Sequence, residues 1–225
     1  MKLGIISDIH GNFPALEAVM GELHAAGCEQ ILCLGDVSGY YSMVNECIDL
    51  LRKENVISLK GNHDSYLLGE GLCPRSNSVN RCIAYQQGII TDENRAWLAA
   101  LRPSMHTEHF HAIHGGLNDP LDEYVEQFDF RQGRAVFPDT RVFLSGHSHI
   151  QRLQREGDVI YCNPGAVGQP RDHDPRAAYA ILEDGEIRLQ RVAYDIDRIG
   201  ESMAQAGFTE YFYNNLYFGK KIGEK

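Results

Sequence analysis

The sequence predicts an α/β fold in which parallel and antiparallel strand pairing are mixed. Three features carry that expectation. Short β-branched apolar runs alternate with amphipathic stretches in the first third of the chain. A longer region of helical periodicity follows. The last third has strand patterning broken by Gly-Asp and Asp-Gly turn pairs. Strands alternating with helices place helices on the faces of a parallel sheet, and hairpins add antiparallel strands to it.

"KLGIIS" is the first predicted strand. "FPALEAVMGELHAA" has apolar residues at helical spacing, with Pro14 near its start and Gly27 after its end. "QILCL" reads as a second strand, "MVNECIDLLRKE" as a second helix and "VISLK" as a third strand. From Asp64 to Pro103 the pattern is helical, looser at "GEGLCPRSNS". Thr91 reads as an N-cap, with Asp92 and Glu93 in the first helical turn and Trp97 on the core side. "HFHAIH" and "RVFLS" return to strand. "IQRLQREGDVIYC", "AAYAILED" and "GEIRLQRVAY" read as hairpin strands. A helical tail with many aromatics closes the chain, its expected role being to pack on the core. No repeat or linker divides the sequence. The expectation is one domain over 1–225, with a helical segment at 65–105 near the substrate mouth and a helical tail at 195–225.

The chain has 225 residues and a net charge of −10. No basic tract accompanies that charge, which argues against duplex nucleic acid as a partner, since such binding rests on Lys and Arg contacts to phosphates. No window holds the ~18 uninterrupted apolar residues of a membrane span. The N-terminus lacks the longer apolar core of a signal peptide, so a cytoplasmic location without membrane association is expected. Six cysteines, none in a C-x-x-C pair, read as reduced thiols. Nothing in the sequence sets an oligomeric state.

Function is concentrated at strand ends. "KLGIIS" runs into Asp8 and His10, "QILCLG" into Asp36, "VISLKG" into Asn62, His63 and Asp64, "HFHAI" into His114, and "RVFLSG" into His147 and His149. Ligands of open α/β sheets bind beyond the carboxyl ends of strands. Residues two apart in extended chain share a side, so Asp8/His10 and His147/His149 are expected to aim together. Seven of these N and O donors, Asp8, His10, Asp36, Asn62, His114, His147 and His149, with one bridging carboxylate, give four ligands to each of two metals. Two-metal hydrolytic sites hold their ions about 3.5–4 Å apart. A donor set without Cys favours manganese, iron, zinc or a similar divalent ion over a structural thiolate site. Two carboxylates against two divalent ions leave the site at about +2, which favours a phosphoryl anion.

These motifs, D-x-H, GD, GNHD, "IHGG" and GHSH, occur in order over residues 8–149 and resemble those of the calcineurin-like metallophosphoesterases. "GDVSGY" and "NPGAVGQPRDHDPRAAYA" are similar to a bacterial and archaeal branch of small phosphodiesterases related to diadenosine tetraphosphatases. The resemblance implies a four-layer α/β-β/α sandwich with mixed sheets. It also implies one metal held by Asp8, His10, Asp36 and His149, and the other by Asp36, Asn62, His114 and His147. His63 would be the catalytic acid at the leaving oxygen, or a phosphate contact. The implied activity is phosphodiester hydrolysis of a small substrate, with a metal-bridging hydroxide attacking phosphorus in line. Hydrolysis of dinucleoside polyphosphates is the alternative on the same site. A non-catalytic scaffold is the alternative of another class, against which every ligand position and His63 are present.

Two departures from the family pattern stand out. Gly39 and Tyr40 occupy the places where the protein phosphatases of the superfamily carry an Asp and an Arg, which argues against a phosphoprotein substrate. "HGGLNDP" replaces the branch's usual HG-S-P beside His114. Among the remaining polar residues, Asn12 and Arg171 are candidate substrate contacts, with helix capping and a solvated turn as their competing roles. His109 and His111 form a rival pair inside a predicted strand, and His24, His106 and His173 read as surface histidines.

Overall fold

The computed structural model describes residues 2–224. Its first sheet has the order β10–β9–β1–β2–β3. β1 (Lys2–Ile6), β2 (Gln30–Cys33) and β3 (Ile57–Ser58) run parallel. α1 (Phe13–Ala25) and α2 (Val44–Lys53) connect them. β9 (Ala177–Glu183) and β10 (Glu186–Val192) join as an antiparallel hairpin on β1. Its turn residues, Asp184 and Gly185, both have positive φ, as a tight I′ turn requires.

The second sheet has the order β4–β5–β6–β8–β7. β5 (His111–Ile113), β6 (Val142–Leu144) and β8 (Val159–Pro164) are parallel. β4 (Ser104–His106) and β7 (Gln151–Glu156) pair antiparallel at the edges. Mixed pairing is therefore present in both sheets, as expected.

Alternation along the strands sets the layers. Leu3, Ile5, Leu32 and Leu34 point to one face and meet Ala112, Leu144, Ile160 and Cys162 of the second sheet. Ile6, Ile31 and Cys33 point to the other face and pack under α1 and α2. α3 (Asn62–Leu68), α4 (Asn77–Ile89), α5 (Asp92–Ala99) and α7 (Ile196–Gln205) extend that helical side. Beyond the second sheet, Phe143 and Tyr161 meet Phe128, Phe130 and Phe137 around α6 (Phe130–Val136). The result is the expected four-layer α/β-β/α sandwich. It is uneven, because one seven-residue helix covers the far side.

Some local expectations change. β4 and α6 carry too few residues to show a period. α6 also contains Gly133, where a Cβ would press within 3.0 Å of the Phe128 ring, so packing sets that position. The strand at 109–114 starts only at His111, and His109 lies outside it and exposed. Thr91 caps α5 as expected, its hydroxyl accepting the Asn94 N–H at 3.2 Å. Ile199, Met203, Phe208, Phe212 and Leu216 of the tail join the core beneath the helices. All six cysteines are free thiols. No helix among the described residues is long and apolar enough to cross a membrane.

Candidate active site

The five loaded strand ends come from both sheets. β1, β2 and β3 belong to the first, β5 and β6 to the second, and backbone hydrogen bonds lace their loops together. The Asp8 N–H donates to Gly35 O at 3.0 Å and the His10 N–H to Asp36 O at 3.0 Å. Across the sandwich, the His147 N–H donates to Asp8 Oδ2 at 3.0 Å and the Gly146 N–H to His114 O at 2.9 Å.

The loops are not extended. Asp8, His10, Asp36, His147 and His149 all have φ between 55° and 65°, in the left-handed region that non-glycine residues rarely adopt. The expectation that paired residues aim together through extended backbone is corrected accordingly. Turned, left-handed loops aim them instead, held by the backbone bonds just described.

Convergence is close. His10 Nε2 lies 3.0 Å from His149 Nε2. Asp8 Oδ1 is 3.3 Å from His149 Nε2 and 3.8 Å from His10 Nε2. Asp36 Oδ2 lies 3.7 Å from His10 Nε2 and 3.5 Å from His114 Nε2. His114 Nε2 is 3.1 Å from Asn62 Oδ1. Asp8, His10 and His149 form one group able to hold a metal, and Asp36, His114 and His147 another.

Tautomers follow from the partners. The Nδ1 atoms of His10, His149 and His114 face the carbonyls of Ser38, Gln169 and Leu34 at 2.8, 2.7 and 2.9 Å. A carbonyl only accepts, so each Nδ1 carries the proton. The neutral imidazoles therefore present lone pairs at Nε2. Two such lone pairs face each other between His10 and His149, and a third faces the Asn62 carbonyl oxygen. Asp8 Oδ1, Asp36 Oδ2 and His147 Nε2 are buried without any hydrogen-bond partner. Buried acceptors aimed at one another need a cation between them, and these N and O donors suit a divalent ion.

Titration agrees for His10, His149 and His147 and differs at His114. Burial holds His10 and His149 well below the usual histidine value and takes His147 to about 3. Burial also opposes a proton on His114, yet the negative charge of the Asp36 carboxylate beside it lifts it to about 9, so a cation at Nε2 has to displace that proton. Burial raises Asp8 to about 7. Burial would raise Asp36 too, but the surrounding imidazoles outweigh it and hold the carboxyl below its usual range.

His63 stands beside this cluster. Its ring packs edge-on to His10, with centroids 4.7 Å apart, and its Nδ1 has no partner. Burial lowers it to about 4, against the attraction of Asp36. Gly39 explains the missing orienting carboxylate. A Cβ there would overlap His10 Nδ1 and come within 2.7 Å of His63 Nδ1, and φ is +141°, so no side chain fits at that position. The neighbouring Asp64 carboxylate instead binds the N–H groups of Asp36, Ser38 and Gly61, each at 2.9 Å.

A cavity of about 260 Å³ opens over the cluster. Asn62, His63, His147, His149 and Arg171 line it, together with Tyr40, Arg75, Tyr124, Gln169 and Lys221, among others. Arg171 is held, not solvated. Its Nη2 donates to Tyr40 Oη at 2.7 Å and to Gln169 Oε1 at 2.8 Å. Asn12 is not at the cavity, which corrects its candidacy as a substrate contact. It is buried, its Oδ1 caps α1 by accepting the Ala15 N–H at 3.3 Å, and its amide donates to Gly168 O at 2.9 Å. His111 stacks on Phe137 at 4.1 Å, while His109 is exposed, so the rival pair does not form a site. Of 65–105, only the loop between α3 and α4 reaches the cavity, through Cys73, Arg75 and Ser76. Arg75, Tyr124 and Lys221 went unnoticed in the sequence because they belong to no motif.

The layered sandwich and its buried histidine–carboxylate cluster define a metal-dependent phosphoester hydrolase. The chain belongs to the calcineurin-like phosphoesterase superfamily, whose domain matches residues 1–185. An uncharacterized protein of Methanocaldococcus jannaschii is 31% identical over 97% of this chain and 98% of its own. The phosphodiesterase YfcE of Escherichia coli is 24% identical over 82% of this chain and 88% of its own. A metallophosphoesterase structure from Sphaerobacter thermophilus is 33% identical with a TM-score of 0.83, covering 97% of this chain and 99% of that one. A Pyrococcus horikoshii structure shares the fold, with a TM-score of 0.85 at 19% identity, over 98% of this chain and 99% of that one.

Proposed function

We propose that the protein is a dinuclear metal-dependent phosphodiesterase. Asp8, His10, Asp36 and His149 hold one divalent ion, and Asp36, Asn62, His114 and His147 hold the other. The observation that carries this reading is Asp36 Oδ2, unpartnered and 3.5–3.7 Å from an imidazole of each group. One oxygen so placed can serve both ions. When bound, such ions supply Lewis acidity and a water of lowered pKa.

The chain's own residues do the rest. The Asn62 amide donates to Tyr66 Oη at 3.4 Å, which turns its carbonyl oxygen toward His114. Arg171, fixed by Tyr40 and Gln169, offers a guanidinium to the phosphoryl oxygens. His63 lines the cavity and serves the leaving oxygen. Burial keeps it neutral at rest, and an arriving phosphate anion favours its protonated form. Tyr40 in place of an arginine, and Gly39 in place of an aspartate, favour a small diester over a phosphoprotein.

Metal titration of the purified protein, followed by hydrolysis of bis(4-nitrophenyl) phosphate, tests the reading. Activity is expected to saturate at two equivalents of manganese, iron or zinc. Full activity at one equivalent would exclude the dinuclear site.

A further inference from the structure

The C-terminal tail forms part of the cavity wall. Lys221 and Ile222 line it, although the residues that match the family domain are 1–185. The same tail also reaches the phosphate site from behind, through buried amides.

Among the described residues, every hydrogen bond of the Arg171 side chain goes to a neutral group. Nε and Nη2 donate to Gln169 Oε1 at 3.0 and 2.8 Å, and Nη2 also donates to Tyr40 Oη at 2.7 Å. A guanidinium held this way keeps its charge for an anion, but its aim depends on where those acceptors sit. Arginine only donates, so the oxygen of the Gln169 amide must face it and the nitrogen must face away. That nitrogen donates to Tyr41 Oη at 3.0 Å. Tyr41 Oη accepts a second N–H, from Asn215 Nδ2 at 3.3 Å. Asn215 lies in the tail's turn at Asn214–Phe218, and its Nδ2 also donates to Lys220 O at 2.9 Å, which fixes its amide too. Gln169, Tyr41 and Asn215 are all buried, where an N–H without an acceptor is costly, so the three bonds stand or fall together.

The backbone beside Arg171 is braced from the same side. The His173 N–H donates to Gly219 O at 3.0 Å. Gly219 has φ of +58°, and a Cβ there would meet the Asp174 backbone at 2.6 Å. Ser202 of α7 meets Ser42, the neighbour of Tyr41, at 2.7 Å between hydroxyls.

We propose that the tail is a working part of the phosphate site, with Asn215, Tyr41 and Gln169 as positioning residues for Arg171. Docking of the tail then sets how firmly the guanidinium meets phosphoryl oxygens, while other residues hold the metals. This rests on the reading of Arg171 as a phosphate contact.

Calorimetric titration of the metal-loaded protein with inorganic phosphate tests the chain of bonds. Arg171→Gln is expected to weaken phosphate binding about tenfold or more, through loss of a charge-assisted contact. Tyr41→Phe removes one oxygen and leaves the ring in the core, and Asn215→Leu removes the tail's donor. Each is expected to weaken phosphate severalfold with metal content unchanged. Added to Arg171→Gln, neither should weaken it further, because both act through Arg171. A general loosening of the structure would instead weaken binding in either background. Wild-type affinity in Tyr41→Phe, full additivity with Arg171→Gln, or loss of metal from Tyr41→Phe would overturn the positioning chain and leave the Arg171 contact standing. Unchanged affinity in Arg171→Gln would remove that contact and the chain with it. A thermal melt shows whether Asn215→Leu folds, and if it does not, Tyr41→Phe still decides. Cleavage of bis(4-nitrophenyl) phosphate by the wild type reports separately on the phosphodiesterase reading. No cleavage, together with the expected phosphate affinities, keeps the chain and loses that reading.

Discussion

At Asp36 the two carboxylate oxygens have separate tasks. Oδ1 accepts the His63 N–H at 2.8 Å, which fixes the carboxylate, and Oδ2 faces the imidazoles of both groups. In Asp36→Asn, Oδ1 can keep its bond while an NH₂ turns toward the Nε2 lone pairs. Both ions are then expected to weaken together, by about tenfold or more, because one charged ligand is lost from each. Competition with a chromogenic chelator measures this, and a variant that holds both ions tightly would show that Asp36 is not the bridge. His63→Ala should behave differently. Proton transfer by a placed side chain contributes about 10²–10⁴-fold, so turnover should drop by that order with metal content unchanged. Loss of the metals along with His63 would give it a structural role instead.

The elements explain why the side chains converge. Left-handed backbone at non-glycine residues costs on the order of 1–3 kcal/mol each, and five candidate ligands adopt it. Loops cross-linked by backbone hydrogen bonds hold them there. Glycines make the room. At Gly61 a Cβ would overlap the Asp36 carboxylate, and at Gly39 it would overlap His10. Gly39→Ala is therefore expected to displace His10 and His63 together and to destabilise the protein by about 1–3 kcal/mol. Urea unfolding gives the stability change, and metal titration shows whether the His10 ion is lost first. A variant with wild-type metal affinity and stability would mean that the loop yields easily.

For the whole molecule, the inter-sheet core joins strands from both halves of the chain. We therefore expect residues 1–225 to unfold in one cooperative transition, as a single domain does. Metals should raise its midpoint. Binding at 100 times Kd contributes about 2.7 kcal/mol per site, and each kcal/mol moves a chain of this size by about 2–4 °C. Two sites thus predict a rise of about 10–20 °C on loading, reversed by a chelator. Calorimetric scans with and without metal measure it. An unchanged midpoint would mean that the buried acceptors find no cation.

Much of this architecture was legible in the residues. Strand and helix periods are local, so β1 to β3, α1, α2 and the closing hairpins could be read directly, and so could the Asp, Asn and His that end five strands. The three-residue β4 escaped because it is too short to show a period, and the glycine-containing α6 because packing sets its Gly133 position. Asn12 was ambiguous because the same amide that caps a helix can bind phosphate, and only its buried partners decide.

The sequence by itself determined the family, the mixed α/β layering and the strand ends that carry metal-binding chemistry. All of these are written within a few consecutive residues. Tertiary structure alone decided the rest. It turned the ligand loops left-handed, set Asp36 Oδ2 between the two groups, and brought Arg75 to Asp122, 47 residues away, with Lys221 at the same cavity. Such contacts depend on how distant segments fold onto one another, and no local period or spacing encodes them.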